Sequence, residues 1–123
     1  MRVLIADDND LVRRGIAGLL AGEDGLVVCG EARDANETLK KADELRPHVI
    51  LLDVSMPGSN GLNTARLLME RFPELKILII SQHDPKQLLP RSIEVGAHGC
   101  IDKGRLAVDL LPTLKNVLRT DAL

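Results

Sequence analysis

Acidic residues stand directly after two apolar runs that indicate buried strands. Asp7 and Asp8 follow the run Arg2–Ala6, and Asp53 closes the run Val49–Asp53. In open parallel sheets, ligands bind beyond the carboxyl ends of the strands, so carboxylates at these positions suit a site. Crowded carboxylates repel one another unless a cation neutralises them, and Mg²⁺ prefers oxygen ligands. The acidic residues therefore predict a magnesium site.

Two further residues follow later strand-like runs and carry groups that bind phosphate. Ser81 ends Lys76–Ser81 with a hydroxyl, and Lys103 follows the short run Cys100–Asp102 with an ammonium group. Aspartate carboxylates act as nucleophiles in phosphoryl transfer, and a metal ion and a lysine stabilise the charge on the transferred group. These residue types predict that Asp53 attacks a phosphoryl group in line, with Ser81 and Lys103 beside it.

Each of these residues also has a structural alternative. Asp53 could satisfy backbone N–H groups in the turn that follows it, and the Asp7–Asp8 pair could cap the first helix. Lys103 could be a solvated surface lysine, and Ser81 could be a turn residue. Five such residues at four strand ends are hard to explain by these separate roles. Their joint occurrence favours a phosphoryl-transfer site.

Strands and helices alternate five times along the chain, and this alternation positions the site residues. The predicted strands are Arg2–Ala6, Leu26–Cys29, Val49–Asp53, Lys76–Ser81 and Cys100–Asp102. A parallel sheet with right-handed crossovers and helices on both faces follows from this order. We therefore expect an α/β, flavodoxin-like (βα)5 three-layer sandwich with parallel sheet order 2-1-3-4-5, in which the first and third strands are neighbours.

Apolar positions at helical spacing predict the helices between these strands. The first helix has one apolar face, formed by Val12, Ile16, Leu19 and Leu20. Asp34 and Glu37 form a capping-box pattern that predicts the start of the second helix. The fourth helix is expected over Pro85–Val95. Pro90 lies inside it and Pro112 inside the last helix, where an interior proline removes a hydrogen bond and kinks or shortens the helix.

Composition indicates the class of protein and excludes several functions. The 123 residues are 45% apolar and 28% charged with a net charge of −2, as in a soluble globular domain, and 1–123 is expected to be a single domain. No apolar run has the length of a membrane span, and no basic field would recruit nucleic acid. Phe72 is the sole aromatic residue, which argues against stacking of a flavin or base. Cys29 and Cys100 lack zinc-ligand spacing and are expected to be reduced thiols.

The combined motifs resemble bacterial response-regulator receiver domains over essentially the whole chain. The matching segments are Asp7-Asp8, Asp53-x-x-Met56-Pro57-x-x-x-Gly61, Ser81, Gly96-Ala97-x-Gly99 and Lys103. Two further runs, Asp8–Gly15 and Gly30–Ala32, are similar to the NarL/FixJ-type branch of this family.

This resemblance implies a switch of two-component signalling rather than an enzyme that acts on a separate substrate. Asp53 would accept phosphate from a sensor histidine kinase, and the domain would catalyse its own phosphorylation and dephosphorylation. Asp8, Asp53 and the backbone carbonyl of Ser55 would ligate Mg²⁺, with Asp7 acting through water. The groups that would hold the phosphate are Ser81, the backbone N–H of Gln82 and Lys103.

The resemblance also implies partners, an output and a location. Phosphorylation would control transcription, and contact with DNA would be made only by a C-terminal helix-turn-helix domain that this sequence does not contain. A homodimer would form through the fourth helix, fifth strand and fifth helix, or through another face. The domain would be cytoplasmic and would not contact a membrane. The segment 1–123 would be either a stand-alone receiver or one excised from a longer regulator.

Some residues depart from the family pattern. Cys100 stands where the family usually has an aromatic residue, and Gly104 stands where many members have a cis-proline, so we expect a trans bond before Gly104. Together with Pro90 and Pro112, Cys100 predicts an altered output face, and the alternative is that both proline kinks are tolerated and have no functional meaning. Two alternative functions are a Mg²⁺-dependent phosphohydrolase acting through Asp53 and a non-phosphorylated interaction module. A flavodoxin-like redox carrier is disfavoured because the acidic loop would repel a flavin phosphate.

Overall fold

The apolar runs of the sequence form one five-stranded parallel sheet with helices on both faces. The computed structural model describes residues 1–56, 61–82 and 85–119. In chain order the elements are β1 (Arg2–Ala6), α1 (Asp10–Ala21), β2 (Val27–Ala32), α2 (Ala35–Leu45), β3 (Val49–Asp53), α3 (Gly61–Arg71), β4 (Lys76–Ser81), α4 (Pro85–Glu94), β5 (Gly99–Asp102) and α5 (Leu106–Arg119). A 3-10 turn, Lys103–Arg105, joins β5 to α5. The strand order β2-β1-β3-β4-β5 confirms the predicted flavodoxin-like fold.

The sheet separates two hydrophobic clusters. Strand residues under α2, α3 and α4 form the first cluster, and among them are Leu4, Ile50 and Ile79. Strand residues under α1 and α5 form the second, and among them are Ile5, Leu51 and Ile80. Both faces of the central strands are therefore buried, which explains their continuous apolar sequences.

Strand register brings the predicted site residues to one edge of the sheet. β1 pairs with β3 so that Ala6 lies beside Leu52, and β3 pairs with β4 so that Asp53 lies beside Ile80. Ser81 in turn pairs with Asp102 at the end of β5. The residues that follow β1, β3, β4 and β5 therefore meet at the carboxyl edge.

Side chains at two helix starts distinguish capping residues from site residues. Asn9 caps α1, because its side-chain oxygen accepts the N–H groups of Leu11 and Val12 at 2.8 and 3.2 Å. The alternative in which the preceding acidic pair caps this helix is therefore wrong. Asp34 caps α2 and accepts the Glu37 N–H at 2.7 Å, which confirms the predicted start of that helix.

β2 is longer than predicted and contains a bulge. The predicted strand ended at Cys29, whereas the observed strand continues to Ala32. The register against β1 shifts by one residue at Cys29, since the neighbouring pairs are Val3 with Val28 and Leu4 with Gly30. An extra residue breaks the two-residue alternation, and Gly and Glu are uncommon in strands, so the pattern did not predict this extension.

Both helices that contain an interior proline continue through it. α4 has 10 residues and includes Pro90, and α5 has 14 residues and includes Pro112. Both proline side chains are exposed, so neither ring must fit into the core. Of the two predicted effects of an interior proline, shortening is not observed at either position, and a kink stays a prediction. An altered output face stays a prediction.

Three further features concern the thiols, one peptide bond and the membrane. Cys29 and Cys100 are both half-buried and neither forms a disulfide. The bond before Gly104 is trans, as are the other peptide bonds in the described ranges. None of the helices in these ranges combines the length and apolar character needed to span a membrane.

Candidate functional site

Asp53 ends β3 as a fully buried carboxylate at the carboxyl edge of the sheet. Its Oδ1 accepts hydrogen bonds from the backbone N–H and the hydroxyl of Ser55, at 2.9 and 2.7 Å. Its Oδ2 accepts a hydrogen bond from Lys103 Nζ at 3.0 Å. The turn role considered as an alternative is therefore real, but it accounts for only one of the two carboxylate oxygens.

Lys103 is placed by β5 and the following turn between two buried carboxylates. Its Nζ lies 2.9 Å from Asp7 Oδ2 and 3.0 Å from Asp53 Oδ2, and its side chain is 11% exposed. It is therefore not a solvated surface lysine. Burial lowers the pKa of Lys103, but the contacts with Asp7 and Asp53 outweigh burial and hold the pKa above its ordinary value of 10.5. The ammonium group thus stays charged at neutral pH.

Asp7 follows β1 and is fully buried. Its Oδ1 accepts the Asn9 N–H at 2.9 Å. Its Oδ2 meets Lys103 at ion-pair distance, yet receives no hydrogen bond of regular geometry from the residues in the described ranges. Burial raises the pKa of Asp7, and the charge of Asp53 raises it further, whereas Lys103 opposes both effects. The negative charge on Asp7 is therefore incompletely compensated.

The acidic residues form a cluster that fits a divalent cation. Each of Asp7, Asp8 and Asp53 offers one carboxylate oxygen, and these oxygens lie within 4.8 Å of one another. Asp8 is exposed, whereas the other two are buried, so the cluster borders solvent on one side. Asp7 Oδ2 has unused capacity as an acceptor, and oxygen ligands of this kind suit Mg²⁺. The donor set therefore matches the predicted magnesium site.

Ser81 lies at the same edge, between the strands that carry Asp53 and Lys103. It is fully buried at the end of β4, one residue beyond Ile80, which pairs with Asp53. Its partner across the next ladder is Asp102, which directly precedes Lys103. All the residues singled out from the sequence are thus found at the carboxyl edge of the sheet.

Sequence reasoning missed one residue that contacts this edge. Arg13 on α1 is buried and donates from Nη1 to the backbone carbonyl of Asp7 at 2.6 Å and from Nε to Glu31 at 2.9 Å. A signal was available, because Arg13 precedes Ile16 and Leu20 by three and seven residues. An arginine on the apolar face of a helix indicates a buried ion pair.

Comparison with known proteins agrees with this arrangement. Residues 3–115 match the family model of the response regulator receiver domain. The chain is 40% identical to the response regulator GacA of Pseudomonas viridiflava over 117 residues. The aligned segment covers 95% of this chain and 55% of that protein. It is 33% identical to the DNA-binding transcriptional activator DevR/DosR of Mycobacterium tuberculosis over 117 residues. That aligned segment covers 95% of this chain and 54% of DevR/DosR.

Solved structures of response regulator receiver domains have the same fold as this chain. The isolated receiver domain of RcsB from Salmonella enterica serovar Typhimurium, determined in the presence of the phosphomimetic BeF3−, superposes with a TM-score of 0.89 at 27% identity and covers 97% of this chain and 88% of that one. The chain spans about half the length of the curated relatives it matches. The family match, the strand order and the acidic edge agree: the chain belongs to the response regulator receiver domain family of two-component signalling, and its relatives include regulators of the NarL/FixJ type.

Proposed function

We propose that Asp53 accepts a phosphoryl group from a sensor histidine kinase and that this domain itself catalyses the transfer and the later hydrolysis. One juxtaposition carries the proposal. The buried Asp53 carboxylate lies 3.0 Å from the Lys103 ammonium, and its oxygens belong to the 4.8 Å cluster with Asp7 and Asp8. A nucleophile, a fixed positive charge and metal-type ligands are thus within reach of one phosphoryl group.

In the transfer step, a carboxylate oxygen of Asp53 forms a bond to phosphorus while the bond from phosphorus to the kinase histidine nitrogen breaks. In hydrolysis, water attacks phosphorus, the bond to Asp53 breaks, and inorganic phosphate leaves. Lys103 supplies a charge partner for a phosphoryl oxygen, and Ser81 supplies a hydroxyl donor. Phosphorylation then shifts a two-state equilibrium of the domain.

Four residues are proposed to hold Mg²⁺: Asp7, Asp8, Asp53 and Ser55, the last through its backbone carbonyl. The bound ion supplies positive charge that offsets the carboxylates and the phosphoryl oxygens. Both oxygens of Asp53 accept hydrogen bonds, from Ser55 and from Lys103. Phosphorylation therefore requires that at least one of these hydrogen bonds be exchanged, and exchange of the Lys103 bond would turn the ammonium towards the incoming group.

Intact mass after incubation with acetyl phosphate and Mg²⁺ tests this function. We expect one phosphate on the wild-type chain, none after Mg²⁺ is removed with a chelator, and none on Asp53→Asn. The matched control is Asp102→Asn, since Asp102 also ends a strand at this edge but only caps the following turn through the Gly104 N–H at 2.8 Å. This control should be phosphorylated normally. Phosphate on Asp53→Asn would contradict the proposal.

A second assay, phosphate release from a phosphomonoester, separates the two alternative functions when it is combined with intact mass. A phosphohydrolase would release many equivalents of phosphate per chain from a generic phosphomonoester, whereas the proposed switch incorporates a single equivalent. An interaction module that is not phosphorylated would gain no mass under any condition. We expect neither outcome, because Lys103 and the acidic cluster are positioned around Asp53.

We propose transcription as the output and the cytoplasm as the location. One relative is named as a DNA-binding transcriptional activator, which supports the output. This sequence has a net charge of −2, so DNA contact is assigned to an effector domain outside it. The two thiols, neither in a disulfide, support a reducing compartment. Binding of a promoter by the complete regulator before and after phosphorylation would test the output.

A homodimer is proposed through α4, β5 and α5. On α4, Leu89 and Ile93 are 38% and 61% exposed and lie one turn apart, and Val108 on α5 is 61% exposed. Exposed apolar side chains at this spacing suit an interface. Light scattering of the phosphorylated chain should show a dimer that Ile93→Glu abolishes. A monomer at every concentration would contradict this part of the proposal.

A further inference from the structure

We propose that Arg13 and Glu31 form a brace that fixes the acidic loop Asp7–Asn9 in its Mg²⁺-binding conformation. Arg13 is in this view a positioning residue, because it contacts the loop backbone and none of the proposed ligand atoms. The inference rests on the proposed function and adds a structural determinant of metal affinity to it.

The contacts of Arg13 are unusual for a residue on a surface helix. Its side chain is 8% exposed, although an unpaired buried guanidinium would be costly. Nη1 donates to the Asp7 carbonyl at 2.6 Å, Nε donates to Glu31 Oε1 at 2.9 Å, and Nη2 pairs with Asp10. The planar guanidinium holds its donors at fixed angles, so these three partners are fixed relative to one another.

The Asp7 carbonyl belongs to the peptide group that joins Asp7 to Asp8. Two other polar groups of Asp7 have different partners, since its N–H donates to Ala32 O at 3.0 Å and its Oδ1 accepts the Asn9 N–H. Arg13 thus fixes the one backbone group that sets the direction of the chain between the two carboxylates. Loss of this contact would free that peptide group to rotate.

The bulge in β2 explains why Glu31 can reach α1. Val28 packs with the cluster under α1 and α5, so uninterrupted alternation would turn Glu31 to the opposite face. Because the register shifts at Cys29, Glu31 instead pairs with Ile5, which faces α1. Bulges commonly re-aim a side chain next to a functional site. Here the extra residue directs a carboxylate towards Arg13.

Loss of the Arg13 charge and loss of the loop conformation would change Mg²⁺ affinity in opposite directions, so the two effects can be told apart. Removal of a positive charge near three carboxylates would by itself raise the affinity for a cation. Loss of loop positioning would lower it. In the double variant Arg13→Met/Glu31→Gln, one positive and one negative charge are removed together, so the net charge is unchanged while the brace is lost, together with the Arg13 pair to the exposed Asp10.

Titration of the complete chain with Mg²⁺, followed through its amide NMR signals, measures the effect. We expect Arg13→Met and the double variant to bind Mg²⁺ about tenfold more weakly, the range seen when groups that orient metal ligands are removed. Arg13→Lys keeps the charge but loses the planar fork and should also bind more weakly. Val117→Ala, a buried substitution in the cluster under α1 and α5, is the control for general destabilisation and should keep its affinity.

A second readout needs no metal. Hydrogen exchange of the Asn9 amide, which donates to Asp7 Oδ1, should accelerate in Arg13→Met without Mg²⁺ and stay unchanged in Val117→Ala. Should Arg13→Met fail to fold, Arg13→Lys carries the test, because it keeps the positive charge and loses only the planar fork. Equal or higher affinity in the double variant, or wild-type affinity in Arg13→Lys, would overturn the brace.

The inference and the proposed function fail in different ways. If the wild-type chain gains phosphate at Asp53 while the brace variants bind Mg²⁺ normally, only the brace is wrong. If the wild-type chain binds Mg²⁺ and the brace variants bind it weakly, but no chain is phosphorylated, only the proposed function is wrong.

Discussion

The ammonium group of Lys103 lies 3.0 Å from Asp53 Oδ2, although 50 residues separate them along the chain. The same group lies 2.9 Å from Asp7 Oδ2. One lysine thus offsets part of the charge of two buried carboxylates that are also proposed metal ligands. Lys103 and Mg²⁺ therefore compete for the same negative charge.

Lys103→Met should raise Mg²⁺ affinity about tenfold, since a competing positive charge near 3 Å is removed in a partly buried site. Phosphorylation by acetyl phosphate should nevertheless slow, because the charge partner of the phosphoryl group is lost. Titration by calorimetry and intact mass measure the two effects. Lys115→Met is the matched control, since Lys115 pairs with Glu23 at the surface and the net charge changes equally. Weaker Mg²⁺ binding by Lys103→Met would contradict the competition.

Ser55→Ala should lower the free energy of unfolding by about 1.5–3 kcal/mol, the range for a hydrogen bond to a charged group. The hydroxyl donates to Asp53 Oδ1 at 2.7 Å, and the substitution keeps the backbone N–H contact. Urea unfolding followed by circular dichroism measures the loss, as the chain has no Trp or Tyr. The control Ser92→Ala removes a buried hydroxyl that donates to the Leu88 carbonyl. Only Ser55→Ala should also change the rate of phosphorylation; equal rates would contradict a role at Asp53.

Asp7→Asn should stabilise the chain at pH 7 without Mg²⁺, because it removes a buried carboxylate whose ionised form burial disfavours. Burial raises the pKa of Asp7 above its ordinary value of 3.8, so the folded state binds its proton more tightly than the unfolded state. The contribution of Asp7 to stability therefore falls as the pH rises from the unfolded pKa through the folded pKa. The advantage of Asp7→Asn should be largest at neutral pH and shrink towards pH 4.

Urea unfolding of both chains in chelator, at several pH values, checks this sign. Asp109→Asn is the control, because Asp109 is a surface residue whose carboxylate pairs with Arg105. It should show no such gain. Lower stability of Asp7→Asn at pH 7 would mean that the ion pair with Lys103 outweighs the cost of burial.

Gly61→Ala should destabilise the chain by about 3 kcal/mol, as expected for severe overpacking. A Cβ on Gly61 would lie 2.2 Å from Val54 Cα, and this backbone directly follows Asp53. Gly15→Ala is the matched control, because a Cβ there meets nothing within 4 Å. It should stabilise α1 by about 0.5–1 kcal/mol. Thermal and urea unfolding measure both changes, and equal stabilities would contradict the close approach.

The fold was predictable wherever strands are buried on both faces. β1, β3 and β4 have the predicted bounds, because a continuous apolar run leaves little choice of where the strand ends. The edge strand β2 was predicted too short, since its last residues include Gly30 and Glu31 and its register contains a bulge. Propensity and alternation carry no information about an extra residue whose position is set by the neighbouring strand.

The site was predictable as a set of positions but not as a set of contacts. Parallel strand ends meet at one edge, so the convergence of Asp7, Asp53 and Lys103 followed from topology. The hydroxyl contact of Ser55 with Asp53 depends on the local turn, and only its backbone carbonyl was singled out. Arg13 was missed because its partner Glu31 faces α1 only through the bulge.

The extra residue in β2 has a consequence for how the domain tolerates sequence change. Another small apolar residue at Cys29 would leave Glu31 facing α1, whereas deletion of one residue between Val28 and Glu31 would turn that carboxylate to the other face. Insertions and deletions at the sheet margin should therefore be more harmful than substitutions there. Part of the active-centre geometry is specified by the length of an edge strand that contributes none of the proposed ligands.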